Sequence, residues 1–174
     1  MITIDGGTGI MRHNGVEMAS KKMADSWVIS SSFSANAGES NITSDWARHS
    51  AGQSSAGVVG DAMTESSGIF TFPTTGMYLI TTSISGANAG NYFGIKIRAS
   101  NDGFGSSDFD IGLSYNSTSS SSQYFEVTAQ AIFDVTDVST HKVRFRYEAA
   151  TSTQVNATST AKRSGVTFIR LGDT

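Results

Sequence analysis

The chain has 174 residues, about one domain's length, and more than a third of them are Ser, Thr or Gly (28, 19 and 18), with no Cys, a single Pro and 16% charged residues. Without Cys there is no disulfide framework and no Cys-ligated zinc site, and without a Gly-x-y or heptad period there is no collagen or coiled coil. A net charge of −3 argues against nucleic-acid phosphates or anionic lipid as general partners, and 38% hydrophobic with 10% aromatic residues argues for a packed core over disorder.

Residues 1–25 read as an extended arm. Ile2 and Ile4 alternate around Thr3, and Asp5-Gly6-Gly7-Thr8-Gly9 then breaks the pattern. Ile10 and Met11 precede Asn14-Gly15, a strong hairpin-turn signal, and Val16 and Met18 follow it. These apolar side chains need a surface to pack on, which makes them candidates for attachment to a larger body. The arm carries no apolar signal-peptide core, so synthesis without Sec export is expected. No apolar run approaches the ~20 residues of a membrane helix.

From Ser26 onward a period of two takes over. Trp27 and Ile29 share one face, and residues 42–48 form a second short strand containing Trp46. Residues 49–62 read as a loop with a short edge strand at Val58-Val59. Ile69–Phe72 is a strand, Pro73-Thr74-Thr75-Gly76 a turn, and Met77–Ser85 a long strand with Tyr78, Ile80, Thr82 and Ile84 in phase. Strands follow at Tyr92–Arg98, Phe109–Tyr115, Tyr124–Val135, Lys142–Ala149 and Val166–Leu171. The connections at 101–107, 116–122 and 150–164 are polar loops. Eight to ten strands without a helical stripe predict an all-β sandwich, a jelly roll over residues 26–174.

Candidate chemistry is sparse. His13, His49 and His141 lie in separate segments, none with a second ligand at metal spacing. Asn101-Asp102-Gly103 with Asp108 and Asp110 is the best oxygen cluster, but its spacing is that of a turn and not of a calcium loop. No Gly-x-Ser-x-Gly elbow and no phosphate-cradling loop occur. Lys142, Arg144 and Arg146 alternate with Val143, Phe145 and Tyr147, giving a charged strand face that is either solvated or met by an acidic partner. The triplets at Asn41, Asn116 and Asn156 read as chance in so Ser/Thr-rich a chain. No enzyme activity and no cofactor are expected.

The most specific stretch is Gly68-Ile69-Phe70-Thr71-Phe72-Pro73-Thr74-Thr75-Gly76-Met77-Tyr78. It resembles the signature of the C1q/tumour-necrosis-factor-like jelly roll, and Gly165–Leu171 is similar to that family's closing core strand. In this resemblance Phe70 and Tyr78 fill the core from adjacent strands, while Pro73 and Gly76 make the corner. Residues 63–70 and 132–145 are similar to segments of virion proteins of tailed phages, notably marine ones. The resemblance implies a homotrimer about a threefold axis, for which Tyr78, Tyr147 and Phe168 are candidates, with the interior of one subunit as their other reading. The expected function is a virion structural protein on the capsid surface, made in the host cytoplasm and decorating or cementing a phage head by contact with its major capsid protein. Its arm (Ile2, Ile4, Ile10, Met11, Val16, Met18) would make the attachment. The alternative is a tail-fibre tip or receptor-binding module that meets a host surface glycan or protein through loops 49–62, 101–107 and 116–122.

Overall fold

The computed structural model of the chain describes residues 1–4, 11–13, 16–17, 22–49, 57–87, 90–117 and 123–174. Strands β1 (Ile2–Ile4), β2 (Met11–His13) and β3 (Val16–Glu17) pair antiparallel into a small sheet of their own. Strands β2 and β3 pair with His13 opposite Val16, and the expected turn residues Asn14 and Gly15 lie outside the described residues. Ile10 and Met18 lie outside the described residues.

The sandwich begins at Met23, ahead of the expected boundary at Ser26. Its strands are β4 (Met23–Ile29), β5 (Ser31–Ala35), β6 (Gly38–Asn41), β7 (Trp46–Ala47), β8 (Val58–Val59), β9 (Thr64–Ser66) and β10 (Ile69–Thr71). They continue with β11 (Gly76–Ala87), β12 (Phe93–Ser100), β13 (Phe109–Asn116), β14 (Tyr124–Val135), β15 (Lys142–Ala149), β16 (Thr153–Thr158) and β17 (Gly165–Gly172). No helix occurs among the described residues.

Two antiparallel sheets face each other. In the first, β11 pairs β14 along its whole length on one edge, and β17 and β16 in turn on the other. Beyond them lie β4 and β5, with β7 and β8 outermost on β4. In the second, the order is β9–β10–β15–β12–β13, and β6 joins the far end of β15. The chain passes from one sheet to the other at most connections, the circulation of a jelly roll.

Side chains alternate as the pleat requires. Buried positions recur at every second residue of β11, β14 and β15, and those residues close the core between the sheets. At its centre the Phe70 ring meets Trp27, Trp46, Phe145 and Phe168 at centroid distances of 5.2–5.5 Å. The Pro73 corner carries the chain between sheets, so Phe70 and Tyr78 reach the core from opposite layers and not from neighbouring strands. Gly76 ends that corner at φ +140°, and a Cβ there would lie 2.4 Å from the Gly172 carbonyl oxygen. The Tyr78 hydroxyl donates back to the Thr74 carbonyl at 2.8 Å, tying the turn to the strand it launches.

Two expected segments differ. The predicted strand 42–48 is β7 alone, because Asp45 takes a left-handed turn (φ 63°) and residues 42–45 become the link between sheets. The predicted loop 150–164 contains β16. Its alternation is carried by Thr153 and Val155, both fully buried, and a buried Thr gives no apolar signal.

Candidate functional site

Tyr78, Tyr147 and Phe168 all point into the core of a single chain, at 0%, 7% and 0% exposure. Within one chain all three belong to the core cluster. Phe70 is fully buried beside them, and Pro73 and Gly76 form the corner as expected.

Most of the charged face on β15 is paired within the chain, with Lys142 instead donating to the Val138 carbonyl at 2.8 Å. Lys96 of β12 pairs with Glu148 at 2.8 Å and with Glu39 of β6. Arg146 reaches Glu39 at 3.2 Å and the Asn41 Oδ1 at 3.0 Å. Arg98 meets Asp108 at 2.7 Å and Asp110 at 3.1 Å, and Arg144 also pairs with Asp108. Four cations from two strands thus meet four acids of the same chain. Burial works against the Lys96 ammonium, but hydrogen bonds to Glu148, Glu39 and Tyr115 outweigh it and hold its pKa above the usual lysine range. The same Lys96 contact, with Tyr115 and Tyr92, lowers Glu148 to about 2.

The oxygen cluster of loop 101–107 is closed on itself. The Asp102 carboxylate accepts from the hydroxyls of Ser100 and Ser106 and from the backbone N–H groups of Gly105, Ser106 and Ser107, at 2.7–3.1 Å. The Ser100 hydroxyl and the Ser106 donors hold its pKa well below the usual range. Asp108 and Asp110 face arginines instead, so the spacing read as a turn is a turn. His141 lies within 3.4 Å of Thr136, Thr140 and the Asp137 carbonyl, in another tight turn.

The outward face of the β11 sheet is different in kind. The register aligns Ile132, Leu79, Ile169 and Ala24 in one row across β14, β11, β17 and β4. The next row is Gln130, Thr81, Thr167 and Ser26, and the third is Thr128, Ser83, Gly165 and Val28. No charged side chain stands in these rows. Ile132, Ile169 and Leu171 are exposed by 58%, 38% and 52%. A second apolar group, Phe109, Leu113 and Tyr115, stands exposed on β13, whose outer edge has no strand partner among the described residues. Lys162 borders the open face and donates to the Thr167 hydroxyl at 2.6 Å, and burial lowers its pKa.

Sequence reasoning missed these groupings because their members are distant in the chain. One signal was present: charges alternate on Lys96/Arg98, Asp108/Asp110 and Lys142/Arg144/Arg146, the pattern of cross-strand pairs.

No protein-family model matches the sequence, and no curated protein matches it. Solved structures do share the fold. Eiger TNF from S. frugiperda superposes with a TM-score of 0.66 at 10% identity, over 88% of this chain and 95% of that one. Murine APRIL at pH 8.5 gives a TM-score of 0.62 at 12% identity, over 87% and 100%, and at pH 5.0 a TM-score of 0.61 at 14% identity over the same shares. The chain is a jelly-roll sandwich of the TNF-like kind.

Proposed function

We propose that this chain is a non-enzymatic assembly protein, a homotrimer that decorates or cements the head of a phage, with residues 1–22 as its attachment arm. The observation that carries the association is the contrast between its two outer faces. The β15 sheet pairs most of its charges within the chain, whereas the central rows of the β11 sheet carry no charge and present Ile132 and Ile169 to solvent, with Glu126 and Asp134 of β14 in the flanking rows. Exposed apolar groups that cluster on one face mark an interaction surface. Contact between it and the second apolar group, on β13, is heterologous, the kind of contact that forms a ring where the rotation between copies closes. The C1q/TNF-like resemblance supports three as the number in that ring. The likeness of residues 63–70 and 132–145 to virion segments supports the particle as the site of action.

The test has two parts. Light scattering on the intact protein is expected to give three times the chain mass of 18.3 kDa, and a monomer overturns the association. Deleting residues 1–22 is expected to leave the same oligomer while abolishing binding to purified capsids. Unchanged capsid binding overturns the role of the arm, and labelling of the tail on intact particles favours the fibre-tip alternative.

A further inference from the structure

The loop between β16 and β17 is pinned by Ser164, which is fully buried. Its hydroxyl donates to the Asn156 carbonyl at 2.6 Å and accepts from the Ser85 N–H at 3.0 Å. Just before it, Lys162 lies partly buried along the open face of the β11 sheet, with the Thr167 hydroxyl at 2.6 Å as its acceptor. No carboxylate pairs with it among the described residues. Lys96, Arg98, Arg144 and Arg146 on the other sheet all have one. Burial therefore lowers the Lys162 pKa with no acid to offset it. An ammonium partly out of water and held by one neutral oxygen lacks its counter-charge.

Glu126 is the matching group. It is exposed on β14, and no cation pairs with it among the described residues. Its backbone carbonyl accepts from the Asn116 side-chain amide at 2.8 Å, which sets it beside the end of β13, the strand that carries exposed Leu113 and Tyr115. The cation thus borders one apolar surface and the anion borders the other. Within one chain they do not meet: β14 and β17 flank β11 and lie roughly 10 Å apart.

We propose that Lys162 of one copy pairs with Glu126 of the next, where the open face of the β11 sheet seats the β13–β14 edge of a second copy. The proposal rests on the assembly reading and adds the charges that set how the copies align. The central rows of the face are uncharged, so they favour contact without fixing its register; one complementary pair at the border fixes it.

Sedimentation of the intact protein over a concentration series tests the pair. Lys162→Glu and Glu126→Lys are each expected to raise the concentration at half-dissociation about tenfold or more, because each sets like charges against each other. The double variant, with the charges exchanged, is expected to return to within about threefold of the parent protein. Restored association also excludes misfolding as the cause of the single losses. Carbodiimide coupling of mixed isotopically light and heavy protein is expected to join the Lys162 amine to the Glu126 carboxylate between chains of different label. Three outcomes overturn the pairing and leave the assembly reading standing. They are single reversals without effect, a double variant as weak as the singles, and rescue of Lys162→Glu by Asp134→Lys in place of Glu126→Lys. A parent protein that is monomeric at every concentration overturns the assembly reading, and this pairing with it.

Discussion

Asp25 is a carboxylate with no exposed surface, set in β4 among Phe168 and Met63. It is held by Arg48, whose Nε and Nη2 donate to its two oxygens at 3.2 and 2.9 Å, and by the Met63 N–H at 2.8 Å. The same guanidinium donates to the Met63 carbonyl and covers the Trp27 ring at 4.2 Å. One arginine thus fixes the first sandwich strand to the segment that leads into β9. Removing one partner of a buried pair strands the other charge. Arg48→Met is therefore expected to lower stability by about 3 kcal/mol, the low end for buried pairs because the guanidinium is partly exposed. Urea denaturation checks this, and a loss under about 1 kcal/mol would show that Met63 and solvent suffice to hold the carboxylate.

At the scale of elements, the long strands were legible because their sequences alternate cleanly. Tyr78, Ile80 and Ile84 in β11, and Val143, Phe145 and Tyr147 in β15, announce both strand and core face. The Pro73–Gly76 corner was legible for a second reason, that only a few residues accept its dihedral angles. Strand β16 was not, because Thr153 is buried as a polar residue and Asn156 and Thr158 mimic loop composition. Strand β6 hides in the same way within Gly38-Glu39-Ser40-Asn41. The pairing of Glu39 with Lys96 and Arg146 follows from which strands lie side by side, a fact of topology that no local pattern encodes. The candidate attachment residues were legible as apolar outliers, but the open face of the β11 sheet emerged only from its register.

That charged face sets a pH response. Glu148 has a folded pKa of about 2, below its ordinary carboxylate value, so its contribution is present above roughly pH 4.5 and is lost as pH falls toward 2. Lys96 is raised, so its contribution is present below its ordinary pKa near 10.5 and is lost only as pH rises past the folded value. The expected profile is a plateau in melting temperature between about pH 5 and pH 10, with an acid limb below it. Glu148→Gln should lower the plateau and flatten the acid limb. Calorimetry across pH 2–8 measures both, and an unchanged acid limb would assign acid sensitivity to other carboxylates such as Asp102.

At the scale of the whole molecule, the assembly reading predicts a clean separation of folding from association. Ile132 is 58% exposed on β14, so Ile132→Asp removes little from the core of one chain. In an assembly closed through the β11 sheet, the same change places an unpaired carboxylate in an apolar contact. The variant is expected to keep its far-UV circular dichroism and to run as a monomer in sedimentation. Retained association would move the interface away from this face.

The position of β17 has a kinetic consequence. It lies between β4 and β11, pairing Phe168 with Asp25 on one edge and with Ile80 on the other. Until residues 165–172 are in place, two hydrophobic strands hold open edges toward an empty slot, and open edges recruit other chains. The contacts that fill the slot join segments more than eighty residues apart, and such distant closures slow folding. Chaperone demand and inclusion-body formation should thus concentrate in the interval before this central strand docks.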